Sequence, residues 1–589
     1  MTRRPVGRAD LALGAAWVIT SIVLWWSRLR FWYPHDDGTL AQGAMRVLEG
    51  QLPHRDFVYP YTGADALLHA AMFGLAHPAL DVIRSGFALI VMAWLLWLGL
   101  WLRARVGAAD AALAVLAIGA LGPACYPAAM PSWYVVMLVT TGVVMLVPAS
   151  GRQPTPGALL QAGTCLGIGL AFKVSAVYAI VGVGCWLVLA GREVARPSRV
   201  WSVGLVAAAA LAALALLMPA MTSRRAIHLL LPPLAAAVVV LVVEVRGWRR
   251  HGATLRLTGA APLGWLAAGI CLGIAPVLLW LAAGGALIPF LASVGGVGEL
   301  RAAFAGMSPP TLPALVLACP VVALWWSLSG PRPPHPVLVA MAAGLVFLLA
   351  WGDYEWHRRS WQAVRGAIPL GAVVLVPVLA RRGADVTRPW VPVALVLGWM
   401  VLSQFPFSAP VYFLYLAPLV IVGLLLITPP TSAGRGSQRV LLTALTAFGF
   451  LQVIPSPLST LGWSRAPAGQ LRRLDGVRGG VLVPLQEAEQ YEELLTLLAD
   501  SVPAGPIWSG PDAPEIAFLA GRQELNPAFF GFLQPGGAEG ALGDATARAL
   551  VLRRAPPFSP APSAEEIRAW QRRMPRSREI GDLTVLWGE

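Results

Sequence analysis

Long apolar runs separated by short polar ones dominate the first four-fifths of the chain. The runs fall near 11–27, 80–102, 110–123, 133–148, 157–172, 175–190, 200–219, 226–243, 260–283, 312–328, 336–351, 363–380, 390–403, 410–427 and 439–454. Apolar runs of about 17–25 residues are the length at which a helix crosses a bilayer. The pattern predicts a polytopic α-helical membrane protein with about 13–15 transmembrane segments. Several runs are short or interrupted by Pro and Gly, a pattern that fits re-entrant hairpins as well as full spans. The opening "MTRRPVGRAD" followed by "LALGAAWVITSIVLWW" has the charge order of a signal sequence. It lacks a small-residue cleavage site, and its terminal Trp pair fits an interfacial belt, so a retained first helix is expected.

Two stretches break this pattern. Residues 28–79 form a long connection in which Leu40, Ala44, Val47 and Leu48 recur at helical spacing, as do Leu67, Leu68, Ala71, Met72 and Leu75. These predict two amphipathic helices lying on the membrane surface, with their apolar sides toward lipid or neighbouring helices. From residue 465 the texture changes. "GGVLVPL", "GPIWSG", "RALVLRR" and "DLTVLWGE" read as strands, and "AEQYEELLTLLADS" and "SAEEIRAWQRRM" as amphipathic helices between them. The expected organisation is a membrane domain over 1–464, including the 28–79 loop, and a soluble α/β domain over 465–589. The second is large enough to hold its own core.

Charge fixes an expected orientation. The basic stretches "MTRRPVGR", "RARVG" (103–107), "GRQP" (151–154), "GREVARPSR" (191–199), "EVRGWRRHGATLR" (244–256), "GPRPPHP" (330–336), "ARRGADVTR" (380–388) and "GRGSQR" (434–439) alternate with neutral connections. The positive-inside rule puts them in the cytoplasm. The 28–79 loop and the C-terminal domain then lie on the outer side. "MTSRR" (221–225) and "WGDYEWHRRSW" (351–361) put arginines on the outer side. The net charge of +14 is therefore a topology signal; no basic face with interleaved aromatics suggests nucleic acid. Cys125, Cys165, Cys185, Cys271 and Cys319 all lie in apolar runs, so no disulfide framework is expected.

Candidate chemistry concentrates at the outer ends. In "YPHDDG", Asp36 and Asp37 stand at an apolar boundary, where a carboxylate can serve as a general base. Asp37 is equally placed to cap the following helix, and Asp36 to be an ordinary solvated loop residue. Lys173 is the only lysine among 44 basic residues. It lies between two apolar runs, where it either snorkels to the interface or faces a phosphate as a compact ammonium. Arg55 and Asp56 either pair to hold the loop or leave Arg55 free for an anionic head group. Arg358 and Arg359 are candidates for a phosphate clamp or for lipid head groups. His35, His54 and His357 have no spacing diagnostic of metal, and no metal site is expected.

The stretch "PHDDGTLAQGAMRVLEGQLPHRDFVYPYTG" resembles the first outer loop of GT-C membrane glycosyltransferases, of the protein O-mannosyltransferase and aminoarabinose transferase group. Asp36, Asp37 and Gly38 match the acidic pair after the first helix; Gly50, Pro53, Asp56 and Phe57 match the G-x-x-P-x-x-D-F that follows the surface helix. "GLAFKVSAVYAI" and "SQFPFSAPVYFLYLAPL" look like further family segments, although Phe407 and Ser408 replace usual charged residues. The resemblance implies a GT-C fold and sugar transfer, with inversion, from a polyprenyl-phosphate donor to a glycan, lipid or protein acceptor on the outer face. It makes Asp36 the catalytic acid-pair residue, with Asp37 in the place of the second acid. Lys173, Arg55, Arg358 and Arg359 become candidate ligands of the donor phosphate, and Asp56 a structural loop residue. It implies no nucleotide, metal or other cofactor. The competing readings are a transporter or flippase for a lipid-linked or anionic substrate, and an inactive relative whose outer domain binds glycans. Against the transporter, no internal repeat is visible.

Overall fold

The computed structural model describes residues 8–147, 154–190, 260–302, 390–404, 410–427, 432–453, 470–533 and 546–588, with isolated helical turns within 204–238 and 336–344. The described chain runs α1 (Arg8–Ser27), α2 (Pro34–Leu48), α3 (Ala64–Leu75), α4 (Leu80–Val106), α5 (Ala108–Leu121), α6 (Pro131–Leu146), α7 (Pro156–Phe172), α8 (Val177–Ala190), α9 (Ala260–Ala283), α10 (Leu287–Ala302), α11 (Trp390–Met400), α12 (Pro410–Leu414), α13 (Ala417–Ile427) and α14 (Ser432–Val453). Then come β1 (Leu471–Arg473), β2 (Leu482–Pro484), α15 (Leu485–Asp500), β3 (Ile507–Gly510), α16 (Pro514–Ala520), β4 (Ala549–Arg553), α17 (Ala564–Arg573), β5 (Arg576–Ile580) and β6 (Leu583–Trp587).

Among the described residues three helices are long and apolar enough to cross a membrane: Ala9–Ser27, Leu80–Val106 and Ala261–Ala283. The other apolar helices there have 10–17 residues. The apolar runs expected near 200–219, 226–243, 312–328, 336–351 and 363–380 lie, apart from the isolated turns, outside the described residues. Where both can be compared, helices coincide with apolar runs to within a few residues, except that α14 begins well before the run at 439–454, in the polar stretch from Ser432. The run 410–427 is divided into α12 and α13 at Tyr415–Leu416. Helix α10 was not expected, because "SVGGVGEL" dilutes its periodicity with glycine.

Ion pairs sort the helix ends. Arg103, at the end of α4, bonds Asp10 at the start of α1 at 2.6 Å. Arg439 of α14 bonds the buried Asp110 at the start of α5, also at 2.6 Å. Gly107, with φ +93°, makes the one-residue turn that reverses α4 into α5. These groups share one end of the bundle, the end at which the charge pattern puts the "RARVG" and "GRGSQR" loops. The 28–79 loop belongs to the other end.

Within the bundle, α7 and α9 approach most closely through glycine. "GTCLG" (163–167) faces "GICLG" (269–273), and a Cβ on Gly163 or Gly167 would strike the carbonyl of Leu266 or Ile270. A Cβ on Gly269 or Gly273 would meet the carbonyl of Leu160 or Thr164 in the same way. Small residues spaced four apart on both helices are the usual route to close packing in lipid, where burying apolar side chains gains nothing over lipid contact. The interlock fixes the height of the α7 end, and thus of Lys173.

The C-terminal sheet has the order β3-β4-β6-β5, with β3 and β4 parallel and the other pairs antiparallel. Its faces alternate with period two. Trp508, Leu550, Leu552 and Leu586 pack with Trp570 of α17, and Ile507, Ala549, Val551 and Val585 face the core shared with α15 and α16. Edge strand β5 stays exposed and charged through Arg576, Arg578 and Glu579, which discourages further strand pairing. Helix α17 starts with the capping box Ser563–Glu566. The four expected strands and two expected helices are present; β1, β5 and the seven-residue α16 are additional.

The sheet domain is fused to the first-loop layer. Helix α16 packs on α2, so closely that a Cβ on Gly38 would overlap the Glu515 backbone. Val58 N–H donates to the Pro527 carbonyl at 2.7 Å, Leu482 N–H to Leu29 at 2.6 Å, and Leu80 N–H to Arg478 at 3.1 Å. Phe73 stacks on Phe518, and Trp32 meets Tyr491 edge-on. The buried Arg46 of α2 donates to the carbonyls of Glu524 and Asn526 at 3.0 and 2.6 Å, with its guanidinium between the Phe57 and Phe529 rings.

Candidate active site

The two acids of "HDD" lie in the first turn of α2, which begins at Pro34; proline suits this position because no helical partner awaits its missing N–H. Their environments differ sharply. Asp37 is buried, and the guanidinium of Arg84 on α4 grips both its oxygens, at 2.9 and 2.6 Å. The Tyr33 N–H donates to the same carboxylate at 3.2 Å. Arg84 also donates to the carbonyls of Arg28, Arg30 and Phe31, at 3.0, 2.6 and 2.9 Å. Burial pushes the Asp37 carboxyl above its usual range, against the pull of the Arg84 guanidinium. This carboxylate fastens the start of α2 to α4 and to the segment leaving α1.

Asp36 points elsewhere. Its side chain retains 15% exposure, the Tyr126 hydroxyl donates to one of its oxygens, and His35 Nε2 lies 3.7 Å from the same oxygen. Tyr126 is held in turn: its carbonyl accepts from Trp133 Nε1 at 2.9 Å, and its ring lies 4.1 Å from that of Tyr33.

The neighbour of Trp133 in the first turn of α6 is Ser132, whose hydroxyl accepts from Lys173 Nζ at 2.9 Å. Adjacent residues of one helical turn thus hold Lys173 and the tyrosine that holds Asp36. Lys173 closes the C-terminal end of α7 in an extended conformation. Its ammonium stands 5.7 Å from the Tyr61 ring and 5.6 Å from the Tyr412 ring, within cation–π reach. The buried Tyr415 lies 5.7 Å from Tyr412 and 4.6 Å from Trp133, and within electrostatic reach of Asp36, Tyr61 and Tyr33. Tyr33, Tyr61, Tyr126, Tyr412 and Tyr415 thus form a set of rings that reaches Asp36 on one side and Lys173 on the other. This takes half of the ten tyrosines in a chain that has 24 tryptophans. These tyrosines were not expected from the sequence, although their scarcity and their position at the ends of apolar runs were visible signals.

Arg55 is engaged differently. It pairs with Asp56 through two bonds of 2.9 and 2.7 Å and donates to the Gly284 carbonyl at 2.6 Å. The Arg55 bonds hold the Asp56 carboxyl below its usual range, and Leu52 N–H donates to it as well, at 2.7 Å. The pair fastens the loop to the turn between α9 and α10. His54 bonds Ser293 at 3.2 Å, and burial pushes its imidazole down to about 4. Arg358, Arg359 and His357 lie outside the described residues. Among the described residues, no group of three His, Cys, Asp or Glu side chains is arranged to hold a metal.

Asp65 was likewise not expected from the sequence. It is buried at the start of α3, accepts from the Tyr59 hydroxyl at 2.5 Å, and burial raises its carboxyl to about 7. One turn on, the buried His69 bonds the Tyr134 hydroxyl at 3.1 Å.

No protein-family model matches the chain, and no curated protein matches it. A solved structure similar to it is that of ArnT from Cupriavidus metallidurans bound to undecaprenyl phosphate, at 12% identity and a TM-score of 0.46. The likeness covers 99% of this chain and 98% of the other. At that depth it bears on neither the residues nor the chemistry of this chain.

Proposed function

We propose that the chain is a GT-C-type membrane glycosyltransferase, which moves a sugar from a polyprenyl-phosphate donor to an acceptor hydroxyl on the outer face of a bacterial inner membrane, with inversion. The observation carrying this reading is that one turn of α6 holds both the chain's only lysine, through Ser132, and, through Trp133, the tyrosine that bonds the partly exposed Asp36 carboxylate. The first-loop resemblance supplies the family expectation that this geometry fits.

In the proposed reaction Asp36 takes the proton of the acceptor hydroxyl as that oxygen attacks C1 of the donor sugar. The C1–O bond to the lipid phosphate breaks, and the phosphate leaves with the electron pair. Lys173 faces the developing charge, and the N-terminal end of α6 adds its dipole to the same region. The Tyr126 hydroxyl orients the Asp36 carboxylate. Asp37, with both oxygens on Arg84, positions the helix that carries Asp36. Arg55, committed to Asp56 and Gly284, is assigned to the loop, and Arg358 and Arg359 remain candidates for the donor phosphate.

Mass spectrometry of envelope glycans after deletion of the gene would identify the missing sugar, and the purified protein would then be assayed with the corresponding polyprenyl-phosphate donor. Lys173→Ala should raise the donor KM about tenfold or more, since a charge-assisted bond to phosphate is worth about 1.5–3 kcal/mol, and leave the acceptor KM nearly unchanged. The opposite split would remove Lys173 from the phosphate site.

A further inference from the structure

Resting on the transferase reading, the C-terminal domain has a specific relation to Asp36. The Phe558 ring packs edge-on against His35, with centroids 4.8 Å apart, and His35 is the immediate neighbour of Asp36. Phe558 continues into an aromatic strip: Phe530 lies 5.9 Å from it and Phe532 lies 5.5 Å from Phe530. Phe532 and Phe558 are partly exposed, and Phe530 is buried beneath them.

One buried carboxylate builds this strip from two separate segments. Asp512, fully buried, accepts from Phe558 N–H at 2.9 Å and from Ser559 through its N–H at 2.8 Å and its hydroxyl at 2.5 Å. It also accepts from Gly531 N–H at 3.3 Å, and the Ser559 hydroxyl accepts from Phe532 N–H at 3.0 Å. Asp512 holds a left-handed backbone, φ +56°, which is uncommon for a residue with a side chain. These bonds hold Phe532 and Phe558 at the edge of a hydrophobic cluster formed with Phe57, Tyr59 and Phe529 of the first loop and the sheet domain, beside the carboxylate–histidine pair.

We propose that His35 and the partly exposed Phe558 and Phe532, backed by the buried Phe530, form the acceptor subsite, and that it takes a neutral sugar ring of a glycan. The C–H face of such a ring packs on an aromatic surface while its rim carries hydroxyls. Asp36 needs one of those hydroxyls within hydrogen-bond reach, and His35 offers a ring nitrogen to a second. The carboxylate of Asp36 disfavours a phosphorylated or acidic acceptor on this side, just as Lys173 favours an anion on the other. The two substrates are thus sorted by charge across one site, and the C-terminal domain is half of the acceptor wall.

The test is binding to the full-length protein in nanodiscs, measured by saturation-transfer NMR and calorimetry. The probes are methyl glycosides and disaccharides of arabinose, mannose, glucose and galactose. At least one should bind the wild-type protein, and Phe558→Ala should weaken it about tenfold, with Phe558→Trp restoring affinity to within about threefold. Asp36→Asn should still bind it. No saccharide binding to the folded wild-type protein, or equal affinity in Phe558→Ala, overturns the proposal. So does a Phe558 dependence found only for phospholipid vesicles. Because binding is read without turnover, saccharide binding in a protein that transfers nothing would reject the transferase reading while leaving the subsite intact.

Discussion

Lys173 and Asp36 are linked to the same turn of α6, the first directly and the second through Tyr126, from two regions held together by different physics. The α7–α9 interlock that sets Lys173 is built from glycine: two facing G-x-x-x-G stretches let backbone meet backbone. The layer that sets Asp36 is built from buried charge: Asp37 on Arg84 below α2, Arg46 on the carbonyls of Glu524 and Asn526 above it. Among lipid-facing helices, apolar side chains gain little from changing neighbours, so close fit is the available source of association. Where α2 meets the sheet domain, buried polar groups compete with hydration and persist only when their bonds are satisfied. The site thus has one wall set by shape and another set by charge, and they should fail differently.

The largest stability effect is expected on the charged wall. Arg84→Met leaves Asp37 buried without its partner and removes the donor from three carbonyls, a change of about 3–5 kcal/mol by analogy with broken buried ion pairs. Thermal unfolding in detergent would read it; a loss below about 1 kcal/mol would mean that the pair does not hold the layer. On the glycine wall, Gly167→Leu forces α9 away from α7 at a cost of about 1–3 kcal/mol. It should also impair donor use more than acceptor use, because Lys173 rides on α7. An equal effect on both substrates would uncouple the interlock from the phosphate side.

A pH-dependent effect distinguishes the walls further. Burial raises the Glu524 carboxyl, which faces Arg46, to about 7, while the unfolded chain holds it near its ordinary value of 4.5. Between those values the folded state binds more protons than the unfolded one, so this group lowers stability as pH rises from about 4.5 to about 7. Glu524→Gln should flatten that part of the stability profile, and an unchanged slope would assign the titration elsewhere. No comparable titrating group belongs to the glycine stripe.

Periodicity announced much of this architecture and little of the site's wiring. Apolar runs and alternating strands are local signals, so α1, α4, α9 and the strands at 482–484, 507–510, 549–553 and 583–587 could be read directly. The acidic pair and the solitary lysine also stood out by residue type. What could not be read was partnership. Arg84 follows Asp37 by 47 residues, and Tyr126 follows Asp36 by 90; both pairings depend on how helices pack. Tyr412 and Tyr415 were visible inside a family-like segment, yet nothing local connects them to Lys173. The glycine spacings at 163–167 and 269–273 were legible as motifs, but not as facing each other.

The central claim is that adjacent aspartates have been given different work: Asp36 the proton, Asp37 the scaffold. Asp36→Asn and Asp37→Asn, assayed side by side for transfer and thermal stability, test it most directly. Asp36→Asn should lower kcat by about 10²–10⁴-fold, the range for loss of a general base, with the unfolding temperature within about 2 °C of wild type. Asp37→Asn should lower the unfolding temperature by several degrees and leave the folded fraction substantially active. A variant carrying Asp36→Asn that transfers sugar at the wild-type rate, or an Asp37→Asn protein that is fully stable and inactive, would contradict the account.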